Sequence, residues 1–416
     1  DIYMSLMEEG MQPNVEEEEE EEDMEKMEVV KEAAAAVART YLGKGLAHWA
    51  LICTCCLMIM VGVSGGMLLG RLYFNEGGQQ RWLYTTLQTI GWPMLVPLLV
   101  ICYYTEWRKS GDEEQEWRRH LVSNDYVGAL LAARAFSGAR VTPRLIAIYL
   151  GIGFLTAVDS FLFAWGISYL PVSTDALLTA SQLVFNALFS YALVRHHRFT
   201  AASLNAVFAI TLSALLLGLH VASPDSSSSD LPPSTSHAHY VLAFLSALGA
   251  AALYGLILPL MELTYRKVIL KSTFCVIMEA QTTISMFATI FSLLGMAFSG
   301  EFSSIAHEAS QRFRLGPILY SLVLVGSAIC WQLFFLGSLG LIFLVSSLLS
   351  CVLTTGMLPL LSILAILVFH DPFSNLKLIS MVLSIWGLIS YAYGGYHDAK
   401  AKASSMLLQQ DQTMVA

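Results

Sequence analysis

Residues 315–338 read LGPILYSLVLVGSAICWQLFFLGS and residues 340–368 read GLIFLVSSLLSCVLTTGMLPLLSILAILV, and neither stretch contains Asp, Glu, Lys or Arg. A helix crosses the hydrocarbon core of a bilayer in about 20 apolar residues, so each stretch is long enough to span a membrane. Charged residues make up 13% of the whole chain and hydrophobic residues 56%, whereas a soluble domain has about 25% charged residues. The composition therefore predicts an all-α integral membrane protein.

Eight further stretches have the same apolar character. The ten predicted spans are 47–70, 84–104, 145–169, 173–194, 200–220, 240–263, 273–298, 315–338, 340–368 and 378–396. The first begins too late and is too long for a signal peptide, so we expect it to stay in the protein. With the N-terminus in the cytosol, 18 Lys and Arg residues fall on the cytosolic side and 5 on the other. Because positive residues favour cytosolic loops, this count supports ten spans with both termini in the cytosol.

Polar segments separate the groups of spans. Residues 1–46 contain an unbroken acidic run, so they are predicted to form a disordered cytosolic tail. Residues 105–144 form a long polar cytosolic loop, and residues 221–239 form a Ser- and Pro-rich linker on the non-cytosolic side. Residues 397–416 form a cytosolic tail.

The linker divides the spans into two halves of five, residues 47–220 and 240–396. Since five is an odd number, the second half enters the membrane inverted relative to the first. Weak internal similarity, such as Gly166 matching Gly337, supports a repeat, although generic membrane-helix composition is the alternative. Inverted repeats place a substrate site near mid-membrane, and rocking of the halves alternates its exposure. Small residues that recur every fourth position predict close helix packing; they are Gly62, Gly66, Gly70, Ala247, Ala251 and Gly255.

Charges inside the membrane limit the cargo. No Lys or Arg lies in the ten spans as drawn, which disfavours sugar-phosphate, nucleotide-sugar and organic-anion cargo. Four acids do lie in them; they are Asp159, Asp175, Glu262 and Glu279. Because burial favours the neutral form of a carboxyl, Asp159 or Glu279 is predicted to carry a proton. A structural hydrogen bond is the alternative for each, and Asp175 is placed in the N-cap region of its helix.

Uncharged polar and aromatic side chains suggest a binding pocket within the spans. Gln182 and Asn186 share one helical face, because they are four residues apart. An amide presents a donor beside an acceptor, which matches the edge of an adenine ring, and aromatic faces stack on a planar heterocycle. The predicted substrate-binding residues are Gln182, Asn186, Trp331, Gln332, Tyr254, Glu279 and Gln281. The alternative is that these amides hold helices together.

Other site classes have no support in the sequence. The CTCC run at residues 53–56 has no second pair of ligands at metal-binding spacing, so all seven cysteines are interpreted as helix-packing residues. No nucleophile-elbow, Walker or zinc-protease motif occurs. No basic patch interleaved with aromatic residues suggests nucleic-acid binding. We therefore predict a protein that is not an enzyme, has no metal or cofactor and does not bind nucleic acid.

Several stretches resemble the plant purine permeases of the drug/metabolite transporter superfamily. SGGMLLGRLYFNEGGQQRWLYTTLQTIGWPMLVPLL (64–99) is similar to their first two helices, and FAWGISYLPVSTDALLTASQLVFNALFSYALVRHHRFT (163–200) to their helix three–four signature. ICWQLFFLGSLGLIF (329–343) and MVLSIWGLISYAYGGY (381–396) resemble later segments. The resemblance covers about residues 50–396 and implies ten helices with proton-coupled uptake of adenine, cytokinins and related heterocycles.

The family pattern is kept at some positions and altered at others. This chain has the Asp of the family pattern at Asp159, but Ser160 stands where the family has Asn. It also matches the family pattern at Gln182, at the pair Glu279 and Gln281, and at the pair Trp331 and Gln332. Many members have Glu where this chain has Ser362. These departures bear on the cargo and on the proton carrier.

Together, residues and resemblance predict an importer of purine bases and related planar heterocycles. The energy source is a proton gradient, and the partners are the heterocycle, protons and the lipid bilayer. The first alternative is a carrier of the same fold for plant alkaloids or vitamin-like compounds. The second is a membrane receptor or scaffold that does not transport. The plasma membrane is the favoured location, with the vacuolar and endoplasmic reticulum membranes as alternatives.

Overall fold

The computed structural model describes residues 46–110, 143–194, 201–222, 237–265, 267, 274–344, 347–369 and 374–394. A compact unit comprises Ile52–Tyr391, and a smaller unit comprises Asp1–Leu51 with Ala392–Ala416. The C-terminal tail, nearly all of the acidic N-terminal tail and most of the 105–144 loop and 221–239 linker lie outside the described residues.

Within the described ranges every regular element is helical. In chain order the helices are α1 (Leu46–Asn75), α2 (Arg81–Thr89), α3 (Leu95–Ser110), α4 (Pro143–Tyr169), α5 (Val172–Thr179), α6 (Gln182–Val194), α7 (Ala201–Ala222), α8 (His237–Thr264), α9 (Phe274–Ser299), α10 (Gly316–Leu344), α11 (Ser347–Phe369) and α12 (Asn375–Gly394). A helix satisfies all its backbone hydrogen bonds internally, which is what a bilayer demands.

Nine helical segments of the described chain are long and apolar enough to cross a membrane. Two of them combine shorter helices, α2 with α3 (Arg81–Thr105) and α5 with α6 (Val172–Leu193). The predicted span 200–220 corresponds to α7, of which the shorter stretch Leu204–Leu216 is apolar. The all-helical, multi-pass membrane architecture is confirmed, while the ten-span count and the inverted repeat stay predictions.

Large apolar side chains cover the outside of the helices. Phe208, Ile318 and Leu367 are all exposed, as expected for residues that face lipid. Polar residues such as Gln88, Gln182 and Gln281 are buried between helices instead. The helices are thus arranged with their polar side chains towards the interior.

Each of the two composite spans is broken between its two helices. After α2 the chain passes through Ile90 and Gly91 into a 3₁₀ turn at Trp92–Met94, which contains Pro93. Between α5 and α6, Ala180 and Ser181 form a turn. Broken membrane helices are tolerated where their irregular backbone is buried in protein or lines a cavity.

Helices from the two predicted halves pack directly against each other. Helix α4 packs on α8 and α9, α6 packs on α8, and α5 packs on α11. A Cβ built on Gly62 of α1 would lie 2.5 Å from the backbone nitrogen of Phe334 in α10. One built on Gly255 of α8 would lie 2.8 Å from the backbone nitrogen of Asn186 in α6. The small residues at these two positions therefore permit close helix packing, as predicted.

Two cations are buried inside helices, although the predicted spans were drawn without Lys or Arg. Helix α1 continues to Asn75, so Arg71 is within it, buried, and its Nη1 donates a hydrogen bond to the carbonyl of Ile167 at 3.1 Å. Lys377 is buried in α12. The expectation of spans without Lys or Arg is wrong, because the boundaries were placed at the cations on the assumption that charges mark helix ends.

A connector at residues 301–312 joins α9 to α10 and contacts the region between α1 and α2. Glu308 is buried and accepts hydrogen bonds from the Tyr73 hydroxyl (2.6 Å), the Tyr320 hydroxyl (3.1 Å) and the Gln79 backbone N–H (2.9 Å). Glu301 accepts from the backbone N–H groups of Leu83 (3.0 Å) and Trp82 (3.3 Å), at the start of α2. Because these are otherwise unsatisfied helix-start amides, Glu301 caps α2.

Two cysteines form a disulfide between α3 and α9. The pair is Cys102 and Cys275, with Cα atoms 5.8 Å apart and a sequence separation of 173. The interpretation of all seven cysteines as simple packing residues is wrong for this pair. Two cysteines so far apart in sequence form no local motif, so their pairing could not be predicted from the sequence.

Candidate functional site

A cavity that we call the central cavity is lined by side chains from eight helices, α1, α2, α4, α5, α6, α8, α10 and α11, and contains about 500 Å³ of unfilled space. Five of these helices contribute one Gln, Asp, Tyr or Trp side chain each. These are Gln88 of α2, Asp159 of α4, Gln182 of α6, Tyr254 of α8 and Trp331 of α10. A mostly apolar cavity with a few convergent polar groups is the usual form of a small-molecule site.

Two amides are held in place at the wall of this central cavity. The Nε2 of Gln88 donates to the carbonyl of Ser160 at 2.9 Å, and the Nε2 of Gln182 donates to the Thr355 hydroxyl at 3.3 Å. A primary amide has two N–H groups and one carbonyl. Each glutamine therefore keeps a second donor and an acceptor with which to bind a ligand.

Aromatic rings form another part of the wall. The Trp331 ring packs edge-on against Phe163, with centroids 5.2 Å apart, and its Nε1 donates to the Tyr84 hydroxyl at 3.2 Å. The Tyr254 hydroxyl lies 3.3 Å from the Ser338 hydroxyl oxygen. These contacts fix the orientation of both rings, whose faces can stack on a planar ligand.

A second cavity adjoins the central one and contains about 590 Å³ of unfilled space. The two share Asp159, Tyr254 and Phe335. Gln281 lines the second cavity, with its Nε2 donating to the Ser285 hydroxyl at 2.9 Å. The remaining wall is largely aliphatic; it includes Ile152, Ile257, Leu258, Met261, Ile284, Leu339 and Ile342.

Asp159 occupies the junction of the two cavities. Among the described residues it is the one acid that lines either of them. A carboxyl at this position can accept hydrogen bonds from a ligand when ionised, or donate one when protonated.

Glu279 lies elsewhere. It lines a third cavity, with about 940 Å³ of unfilled space, together with Trp92 and Tyr149. Its Oε2 accepts a hydrogen bond from the Tyr103 hydroxyl at 2.5 Å. The two predicted proton carriers, Asp159 and Glu279, are therefore not neighbours in one site.

Asn186 and Gln332 are buried outside the two adjoining cavities. The Oδ1 of Asn186 accepts a hydrogen bond from Ser190 at 3.4 Å. Gln332 lies so close to Gly91 that a Cβ there would be 2.6 Å from the Cβ of Gln332. Trp331 therefore lines the central cavity, while the neighbouring Gln332 lies against Gly91.

The structure adds residues that the sequence interpretation omitted. Gln88, like Gln182, is a glutamine inside a predicted span, but it was not among the predicted substrate-binding residues. Asp175 is fully buried in the first turn of α5 rather than at its N-cap, which is Pro171. Within the described ranges no group of three or more His, Cys, Asp or Glu side chains is placed to hold a metal ion.

Comparison with known proteins identifies a family. A family model described as purine nucleobase transmembrane transport matches residues 50–401. Purine permease 3 of Arabidopsis thaliana is 37% identical over 364 residues, which cover 88% of this chain and 95% of that one. Purine permease 2 of the same plant is 35% identical over 367 residues, covering 85% and 95% of the two chains. Probable purine permease 10 is 34% identical over 354 residues, covering 85% and 82%.

These matches include all the helices that line the cavities. The relatives are named as permeases and the family is one of transporters, so the chain is a transporter and not an enzyme. The resemblance seen in the sequence is thereby confirmed. The chain belongs to the purine permease family of purine nucleobase transporters.

Proposed function

We propose that the chain imports purine bases and related planar heterocycles, such as adenine and cytokinins, together with protons. The observation that supports this cargo is the central cavity, in which two glutamine amides and two aromatic rings meet. Family membership supports purine nucleobase transport, and the cavity chemistry suits a flat ring rich in nitrogen.

The cargo ring binds in the central cavity. Gln88 and Gln182 pair with its edge, because an amide matches the donor and acceptor on an adenine edge. Trp331 and Tyr254 contact its faces. Gln281 contacts the part of the cargo that enters the second cavity, while Asn186 and Gln332 lie outside the two cavities in the state described here.

The second cavity accommodates a substituent on the ring. Its aliphatic wall excludes a charged or strongly hydrated group. A base that carries an apolar side chain, as cytokinins do, would place the ring in the central cavity and the side chain in the second. This arrangement favours substituted purines over alkaloids that lack a purine-like edge.

A proton gradient supplies the energy, and no cofactor is needed. One proton moved down a gradient of one pH unit provides about 1.4 kcal/mol. From the sequence, Asp159 or Glu279 is predicted to carry the coupling proton. Alternating exposure of the cavities to the two sides of the membrane follows from rocking of inverted halves.

The proposed location is the plasma membrane, with both termini in the cytosol. The distribution of 18 Lys and Arg residues on one side and 5 on the other supports this orientation.

The test is uptake of labelled adenine in yeast that lacks purine uptake. We expect faster uptake at about pH 5 than at about pH 7.5, and inhibition by a protonophore, because protons drive it. Gln182→Met should raise KM about tenfold or more, since a hydrogen bond to a buried polar group is worth about 1–3 kcal/mol. Asn205→Met is the matched control, because this amide binds Ser390 between α7 and α12, outside the cavities.

Three results would count against the proposal. Equal uptake at both pH values, insensitive to the protonophore, would reject the coupling. Normal expression without uptake of adenine or any competitor would favour a receptor or scaffold. Competition by alkaloids that exceeds competition by cytokinins would favour the related carrier function.

A further inference from the structure

Asp175 is a carboxyl whose environment the proposed cargo site does not explain. Its side chain is fully buried, and neither carboxyl oxygen has a hydrogen-bond partner among the described residues. The absence of a side chain at Gly166 of α4 leaves space for the Asp175 carboxyl, because a Cβ at Gly166 would lie 3.0 Å from Oδ1 of Asp175. A buried carboxylate without hydrogen bonds is costly, so a group held this way requires an explanation.

Arg71 supplies a nearby positive charge. Its guanidinium, buried within α1, attracts the Asp175 carboxylate electrostatically. Between buried groups such an attraction is strong because little water screens it. The ionised form of Asp175 therefore depends on how close Arg71 lies, and any movement of α1 relative to α5 changes that balance.

The other groups around Asp175 carry no charge. Tyr84 of α2 is the second titratable side chain that interacts with it electrostatically. Helix α4 contributes Gly166 beside the carboxyl, and α11 contributes the Ser362 hydroxyl, which donates to the carbonyl of Ser173. In the described part of α7, α8 and α11, no charged side chain interacts electrostatically with Asp175.

Two contacts connect Asp175 to the central cavity. Thr179 lies one turn further along α5, donates to the carbonyl of Asp175 at 2.8 Å and lines the cavity. On the other side, the Tyr84 hydroxyl accepts a hydrogen bond from Trp331, which also lines the cavity. Thr179 and Trp331 are thus the cavity residues that lie one interaction away from Asp175 or from its neighbour Tyr84.

We infer that Asp175 binds the coupling proton, with Arg71 as its counter-charge, while Asp159 contacts the cargo. This inference rests on the proposed function. One proton adds to a carboxylate oxygen of Asp175 from the outer solution, forming the neutral acid, and the same proton leaves to the cytosol after the halves have rocked. Asp159 is open to the cavities and therefore suits a cargo contact, whereas Asp175 is sealed from the cargo.

The experiment uses purified full-length chain in proteoliposomes with labelled adenine. At a gradient of about 2 pH units, one proton per base supports about a hundredfold accumulation, since each unit supplies about 1.4 kcal/mol. The second measurement is counterflow at equal pH, which needs no proton gradient. The variants are Asp175→Asn, the double variant Arg71→Gln/Asp175→Asn, and Glu76→Gln as a matched carboxyl control outside the cavities.

We expect the double variant to lose accumulation, from about a hundredfold to about onefold, while it still catalyses counterflow. The double change removes both charges, so it avoids leaving Arg71 uncompensated as the single change does. Glu76→Gln should accumulate adenine as the wild type does. Accumulation by the double variant at the wild-type level would overturn the inference. Failure of the wild type itself to accumulate adenine would instead reject the proposed proton coupling.

A measurement on the wild type settles the matter if the variants do not fold. Dicyclohexylcarbodiimide modifies protonated carboxyls in apolar surroundings, and peptide mass spectrometry locates the adduct. We expect the Asp175 peptide to be labelled more at about pH 5 than at about pH 8. Labelling of Asp159 with none at Asp175 would overturn the inference.

Discussion

Replacement of Gly255 by alanine tests the packing that holds the central cavity together. A Cβ at Gly255 would lie 2.8 Å from the backbone nitrogen of Asn186 and 3.0 Å from the carbonyl oxygen of Gln182. Ordinary contact for a Cβ begins at 3.4 Å, so α6 and α8 must separate by roughly 0.6 Å at this point. A third obstacle is the Cβ of Phe185 at 2.7 Å. Side-chain rotation moves neither backbone atoms nor a Cβ, so it does not relieve the clash.

The expected cost follows from two opposing effects. Overpacking costs about 1–3 kcal/mol, while Gly→Ala inside a helix gains up to about 1 kcal/mol. Gly151→Ala is the matched control, because a Cβ there meets nothing within 4 Å. The helix gain is common to both variants, so their stabilities should differ by about 1–3 kcal/mol.

The assay compares the temperatures at which the two detergent-solubilised variants lose their monodisperse chromatographic peak. Gly255→Ala should lose its monodisperse peak at a temperature several degrees lower than Gly151→Ala does. It should also bind adenine more weakly, because the displaced carbonyl belongs to Gln182 in the cavity wall. Equal stability and equal uptake for the two variants would refute the description of this helix contact.

Three further predictions concern single side chains. Tyr254→Phe removes the hydroxyl beside Ser338 but keeps the ring face, so its KM should rise less than about tenfold, whereas Tyr254→Ala should lose most uptake. Glu308→Ala breaks three hydrogen bonds to a buried carboxylate and should cost about 3 kcal/mol or more, seen as a lower unfolding temperature. Burial raises the pKa of Glu301 against the lowering effect of the Leu83 and Trp82 amides. The contribution of the neutral Glu301 carboxyl to stability is therefore lost as pH rises through its folded pKa. The unfolding temperature of the wild type, minus that of Glu301→Gln, should be higher below that pKa than above it; a difference that does not change with pH would contradict this.

Hydropathy predicted most helices closely because lipid selects for long apolar runs. The predicted span 145–169 is α4, Pro143–Tyr169, and 273–298 is α9, Phe274–Ser299. The boundary near residue 340 was wrong, since α10 continues to Leu344 and α11 begins at Ser347. Ser346 and Ser347 lie at the observed boundary, but no charged residue, Gly or Pro does. Serines also occur inside the helices, so composition alone could not locate the boundary.

The site was predicted in part, because sequence identifies residue types more readily than directions. Gln182, Trp331 and Tyr254 do line one cavity. The breaks after Thr89 and Thr179 change which faces of the broken spans point inward, and such a break has no periodic signal. The electrostatic interaction of Arg71 with Asp175 joins residues 104 positions apart in sequence, which no local pattern encodes.

The connector at residues 301–312 has a practical consequence for anyone who engineers this transporter. An epitope or reporter inserted between Glu301 and Glu308 would pull apart two carboxylates that bind the start of α2 and the end of α1. Single-residue labels at exposed Ser303 or Ser310 leave both carboxylates in place. Accessibility labelling at those two serines is thus the gentler way to decide which face of the bilayer this loop occupies.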